Sequence, residues 1–202
     1  ALISIPLGCY AGTHRKKAAA RLIDSLSLFF VSIPEFLIGL VLLLVFALKL
    51  RILPAGGWGS TIPEHISSLI LPSFTGALMT ASLVIRNISE NIEKILKMDY
   101  VDFARSKGLS EGKIKRSYIL HNVLIPAVTL LAMRMTAMLA GSIVIESVFA
   151  LPGLGQMMLN AILSRDYPLV QATVYLFAII VLVMNLLTDI SYSLLDPRVR
   201  LG

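Results

Sequence analysis

The stretch that decides the reading of this chain is DYVDFARSKGLSEGKIKRSYILHNVLIP, residues 99–126, a polar segment set in an otherwise oily sequence. Its first part carries helix signals at both ends. Asp99 is a good N-cap, Asp102 sits three residues on where a capping-box acid belongs, Lys107 lies at the C-terminus, and Gly108 can take the left-handed stop. Ser110 then offers a second N-cap, with Glu111 in the first turn of another helix running toward the next apolar stretch. A capped helix of this size adds little to the stability of a membrane protein. It has the make-up of an element gripped by something else.

Outward from that segment the chain is apolar on both sides. Hydrophobic residues make up 56% of it, charged residues only 15%, and the mean hydropathy is +0.82, which places it in the membrane class. Four runs, over about 25–48, 66–85, 122–145 and 167–190, are each long enough to cross a hydrocarbon core of about 30 Å. Pro34, Pro72 and Pro126 lie within or at the edge of these runs, where neighbouring helices can satisfy the freed carbonyls. A fifth apolar run, 1–10, is too short to span and has no charged segment before it. It reads as the end of a longer helix, so the expectation is one membrane domain over 1–202, truncated at its N-terminus.

The basic residues decide orientation. Fourteen of the 17 that lie between spans fall in 10–24, 86–121 and 196–202, against three in the alternate gaps (Lys49, Arg51 and Arg165). The positive-inside rule therefore puts 10–24, the segment 86–121 and the C-terminus in the cytoplasm. The net charge of +6 is thus a topology signal, and no nucleic-acid recognition motif accompanies it. Outside the membrane, Arg51–Ser60 is Gly-rich with one Trp, as suits an interfacial turn. The second external loop, 146–166, contains Leu154, Met157, Met158, Ala161 and Ile162 at helical spacing, which predicts a short amphipathic helix.

Several chemistries find no support. The single Cys9 excludes an internal disulfide and a cysteine-based metal site, and His14, His65 and His121 are scattered. No nucleophile–base or metal-ligand constellation appears at one depth, so no catalytic, metal or cofactor residue is assigned. Two charges do fall inside spans, Glu35 and Arg134, at similar depth from the cytoplasmic ends. An intramembrane charge costs at least about 2.5–3.5 kcal/mol, so these face either each other, as a structural ion pair, or an aqueous substrate path. Ile88, Ile92 and Ile95 recur at helical spacing and predict a helix packed along its own bundle.

Residues 102–126 resemble the cytoplasmic "EAA" loop of permease subunits in binding-protein-dependent ABC importers, whose pattern is acid-Ala-Ala, three residues, Gly, and a later Ile-x-Leu-Pro. Asp102, Phe103 and Ala104 stand in the first three places, Gly108 in the glycine place and Val123-Leu124-Ile125-Pro126 in the last four. Asp replaces Glu, Phe replaces the first Ala, and the spacing from Gly to Pro is five residues longer than in the sugar-permease form. The long form is similar to the dipeptide/oligopeptide/nickel branch. Residues 31–36 (VSIPEF), 53–55 (LPA), 146–155 (ESVFALPGLG), 165–168 (RDYP) and 196–198 (DPR) agree with that branch, so the resemblance covers essentially the whole chain.

The resemblance implies an all-α membrane protein with the transmembrane fold of type I ABC importers, and a subunit with no chemistry of its own. It implies a pore shared with a second homologous permease, two ATPase subunits that hydrolyse ATP, an external solute-binding protein that delivers a di- or oligopeptide, nickel or a related solute, and a bacterial or archaeal cytoplasmic membrane. It also implies that Asp102, Phe103, Ala104, Arg105, Lys107 and Gly108 contact the ATPase, with Phe103 as the apolar knob and Ala104 permitting close approach. The competing class is a secondary transporter or channel independent of ATP, which would show ionisable residues along several spans and broken half-repeats.

Overall fold

The structure, a computed structural model, describes residues 1–195; the stretch 196–202, with the Asp196-Pro197-Arg198 motif, lies outside the described residues. Every regular element among the described residues is helical. In chain order these are α1 (Ser4–Thr13), α2 (Ala18–Ser32), α3 (Glu35–Leu42) with a π-helical continuation Leu43–Lys49, α4 (Ile62–Leu96), α5 (Asp99–Ser106), α6 (Glu111–Lys113) with a π-helical stretch Ile114–Leu120, α7 (His121–Val148), α8 (Leu154–Leu163) and α9 (Tyr167–Leu195). Three described helical stretches, Ile62–Leu96, Glu111–Arg134 and Tyr167–Thr188, are long and apolar enough to cross a membrane, or four if α2 and α3 count as one broken span.

That break corrects the expectation of one continuous span over 25–48. Proline disfavours the helical conformation in the residue before it and supplies no N–H to the preceding turn, so α2 stops at Ser32 and a new helix begins at Glu35, just after Pro34. The expected boundary near residue 85 is also absent. α4 runs 35 residues without interruption, about 50 Å at helical rise and well beyond a hydrocarbon core, so the segment 86–121 begins as helix.

The chain divides into two compact units. The first holds Ala1–Ser32 and Thr80–Met133 with the end of α9, and its core is a cluster of Val84, Ile88, Ile92, Ile95, Val101, Ala104, Ile114, Ile119, Val123 and Ala127. The isoleucine stripe of α4 thus packs within its own chain, as its spacing predicts. α1 approaches that stripe through Gly8 and Gly12. A Cβ at either position would stand 2.8 Å from the Cβ of Ile88 or Ile92, closer than side chains pack. The second unit holds Ile33–Met79 and Arg134–Asp189, with Ala47, Leu71, Phe149 and Leu151 at its centre.

Within the second unit, loop 51–60 is tied to the end of α7. The Gly57 N–H donates to the Phe149 carbonyl at 3.0 Å, and Gly56 lies so close that a Cβ there would be 2.7 Å from the same oxygen. The Arg165–Pro168 motif is a helix junction. Arg165 takes the left-handed stop of α8 at φ 58°, and the Asp166 carboxylate accepts from Leu169 N–H at 3.1 Å, capping α9. α9 is the least buried of the long helices, with only 6% of its apolar window covered by its own chain.

Candidate coupling surface

Helix α5 follows α4 after a two-residue turn and ends where the sequence says it must. Gly108 has φ +75°, its N–H donates to the Arg105 carbonyl at 2.8 Å, and the Leu109 N–H donates to the Ala104 carbonyl at 3.3 Å. This pair of bonds is a Schellman stop, and Leu109 packs against the cluster that contains Ala104, the apolar contact that accompanies such a stop. The N-terminus differs from expectation. Met98 occupies the cap position without a side-chain bond, and Asp99 is the first helical residue, so Asp99 and Asp102 act on the helix dipole from the first turn and not as a capping box. Ser110 does precede α6, but its side chain makes no cap bond; its carbonyl accepts from Lys113 and Ile114.

The eight-residue helix sorts its side chains sharply. Val101 and Ala104 are buried in the first unit's core, while Asp102, Phe103, Arg105, Ser106 and Lys107 face outward. Ala104, at 2% exposure, therefore cannot offer a surface to another protein, which corrects its expected place among the contact residues. Its small side chain lets α5 approach its own bundle. Phe103 is 62% exposed, a large apolar ring left mostly uncovered by its own chain.

The Lys107 ammonium lies 4.6 Å from the centroid of that ring, and Arg105 bridges Asp102 at 3.1 Å and Glu111 at 2.9 Å. Glu111, with Asp102 beside it, holds the Arg105 proton above its ordinary range. Exposed pairs of this kind contribute little to stability. Their effect is geometric: α5 and the start of α6 are pinned together around an exposed aromatic knob. Tyr100 adds a second clamp by stacking on Tyr118 at 6.4 Å between centroids.

A second constellation sits in the second unit around Glu146, to which no periodicity or motif spacing assigns a role. Its carboxylate accepts from the Gln156 N–H at 2.8 Å, so a residue near the end of α7 caps the first turn of α8. It also occupies the room that side chains at 153 and 155 would need. A Cβ at Gly153 would run into the carboxylate, and one at Gly155 would stand 3.0 Å from it and 2.7 Å from Ile143 Cα. The ESVFALPGLG stretch is thus a latch in which Gly153 makes space for the Glu146 carboxylate and Gly155 chiefly for Ile143. Its effect on α8 is to bury Gly155 and Ala161, while Leu154, Met157 and Ile162 of the expected apolar stripe stay exposed.

Glu35 and Glu146 line one cleft of about 240 Å³ with Ser73, Gly76 and Met138. Arg134 lies within electrostatic reach of Glu35, but among the described residues no direct ion pair joins them. Of the two readings of these charges, the direct pair is not formed in this conformation.

Comparison with known proteins shows the family of the chain. The chain is 36% identical over 203 residues to the dipeptide transport system permease protein of Lactococcus lactis subsp. cremoris (strain MG1363), covering 96% of this chain and 65% of that protein. It is 35% identical over 195 residues to the dipeptide transport system permease protein of Bacillus subtilis (strain 168), covering 96% and 62%. It is also 35% identical over 199 residues to the glutathione transport system permease protein of Salmonella typhimurium, covering 98% and 63%. The chain thus spans a little under two thirds of the length of these curated relatives. Residues 4–201 match the family described as binding-protein-dependent transport system inner membrane component. The chain, with its uncovered apolar helices and its capped α5, belongs to that family of multi-pass membrane permeases.

Proposed function

We propose that the chain is a pore-forming permease subunit of an ATP-driven importer of di- or oligopeptides or a related small solute. The observation that carries this reading is the outward face of α5. Asp102, Phe103, Arg105 and Lys107 stand on a rigid, capped helix next to the end of a 35-residue helix. A stiff helix transmits displacement where a floppy loop would absorb it. The partners of this reading are two ATPase subunits, a second homologous permease, an external solute-binding protein and the lipid bilayer. Hydrolysis belongs to the ATPase subunits. The names of the relatives, which move dipeptides and glutathione, support a peptide-like cargo. Glu35 and Arg134 are assigned to the polar pathway, since they are not directly paired here.

Reconstituted with its partners, the complex should take up labelled dipeptide only while ATP is hydrolysed. Uptake that continues with a non-hydrolysable analogue would favour the secondary-transporter or channel reading and remove this one.

The orientation is a separate reading, with 10–24, 86–121 and the C-terminus in the cytoplasm of a bacterial or archaeal cell. It rests on the distribution of basic residues. Single cysteines placed at 55–60 in a Cys9→Ser background should react with a membrane-impermeant maleimide added outside cells, and cysteines at 105–113 should not. External labelling at Ser106 would overturn the orientation.

A further inference from the structure

Where the turn after α1, the first half of α2 and the later part of α4 meet in the first unit, they border a polar cavity of about 250 Å³. Arg15, Asp24, Ser25, Leu28, Arg86 and Glu90 line it, and each of these six is at least partly open to the surface. Asp24 is the last charged residue before the uncharged run 25–34, so the cavity lies where α2 passes from polar to apolar. That is the level at which a membrane helix meets lipid headgroups.

The charges around the cavity are matched only in part. Arg86 Nε donates to Glu90 Oε1 at 2.7 Å, which leaves its two terminal nitrogens unengaged among the described residues. Arg15 holds Glu93 through one terminal nitrogen, and its other donors face no acid among the described residues. Asp24 makes no ion pair there, and neither its carboxylate nor the Ser25 hydroxyl makes a hydrogen bond among the described residues. One cavity thus presents a free carboxylate beside free guanidinium donors, the complement of a zwitterion.

We propose that this cavity binds the headgroup of phosphatidylethanolamine, its ammonium on Asp24, its phosphate on Arg86 and Arg15, and its glycerol end leaving past Leu28. A primary ammonium gives N–H donors to a carboxylate, which the quaternary nitrogen of phosphatidylcholine cannot. A headgroup without a cation, such as that of phosphatidylglycerol, leaves Asp24 unmatched. Leu28 is 49% exposed in the cavity wall, and Leu26 and Phe29 are exposed beside it on α2. That apolar surface suits a lipid and offers nothing to a soluble zwitterion. The leaflet is cytoplasmic if the proposed orientation holds, but binding itself does not depend on that orientation.

The intact transporter, stripped of lipid, is titrated with phosphatidylethanolamine, phosphatidylcholine or phosphatidylglycerol of matched acyl chains, and bound lipid is followed by native mass spectrometry. Phosphatidylethanolamine should bind about fivefold more tightly than either of the others, and Arg86→Gln should weaken it about fivefold. Asp24→Asn should erase the preference over phosphatidylcholine. To locate the lipid, Ser25→Cys is placed in a Cys9→Ser background in phosphatidylcholine nanodiscs, where added phosphatidylethanolamine should slow alkylation at position 25 in a saturable way. Equal binding of phosphatidylethanolamine and phosphatidylcholine, or a preference unchanged in Asp24→Asn, would overturn the proposal. Tighter binding of phosphatidylglycerol would do the same, since it needs no carboxylate. Glycylglycine that protects position 25 as well as the lipid does would make this a cargo site and end the lipid assignment. None of these readouts requires transport, so their failure is distinct from failure of the permease reading.

Discussion

If α5 docks on an ATPase subunit as proposed, Phe103→Ala should weaken that contact about thirtyfold while leaving the permease folded. The ring is 62% exposed and rests on a helix whose buried side is Val101 and Ala104, so its removal takes nothing from the core. Aromatic residues that enter a partner's pocket dominate interface energy, and truncating one costs about 2 kcal/mol or more. ATPase stimulation and peptide uptake should fall together, with the thermal midpoint of the isolated permease unchanged. Gly108→Pro tests the same helix from its end. Proline cannot adopt φ +75° and has no N–H to give the Arg105 carbonyl, so the Schellman stop is lost and α5 loses its fixed direction. Coupling should be abolished in that variant although the spans still insert. Full stimulation in both variants would show that α5 is not the coupling element.

The second large effect belongs to the latch under α8. Glu146→Ala leaves the Gln156 N–H without its charged acceptor and should destabilise the complex by about 1.5–3 kcal/mol, read as a fall in its thermal inactivation midpoint. Gly153→Ala should be comparably harmful in the wild-type chain, because the new methyl meets the Glu146 carboxylate. Gly153 itself has φ −99° and ψ 174°, ordinary extended backbone that alanine adopts without strain. The three atoms nearest to such a methyl all belong to the Glu146 carboxyl group. Combining the two substitutions should therefore be less damaging than their sum, with a coupling energy above about 0.5 kcal/mol. Strict additivity would show that glycine 153 is required for some reason other than Glu146.

These two sites differ in how far they can be read from sequence, and the reason is contact range. The end of α5 depends on residues within six positions of each other, so Gly108 and the span of the helix are legible from local rules. Its start lies one residue earlier than local rules predict, since Asp99 is a fair cap in isolation but the chain turns at Met98. The motif place of Ala104 suggests a contact, but Ala104 lies on the same face as the buried Val101 and is itself buried. The latch could not be read, because Glu146 and Gly155 are joined by a fold-back that no periodicity records. The same holds for Gly8 and Gly12, whose spacing has meaning only beside Ile88 and Ile92, about 80 residues on. The break before Glu35 was signalled by Pro34, but an unbroken apolar run hid it, since hydropathy does not register direction.

The bareness of α9 has a consequence for how this chain accepts change. Ile88 and Ile92 are enclosed by their own chain, so their positions should be strict about shape and register the loss of one methylene. Leu182 and Leu186 are exposed on an apolar helix long enough to cross a membrane and meet no such mould within their own chain. Positions of that sort are lenient toward size and branching yet closed to polarity, the reverse of an exposed site on a water-soluble protein. A saturation-mutagenesis map of this permease would therefore carry two kinds of hydrophobic constraint, one steric and one dielectric, and the line between them would follow the edge of the folded subunit.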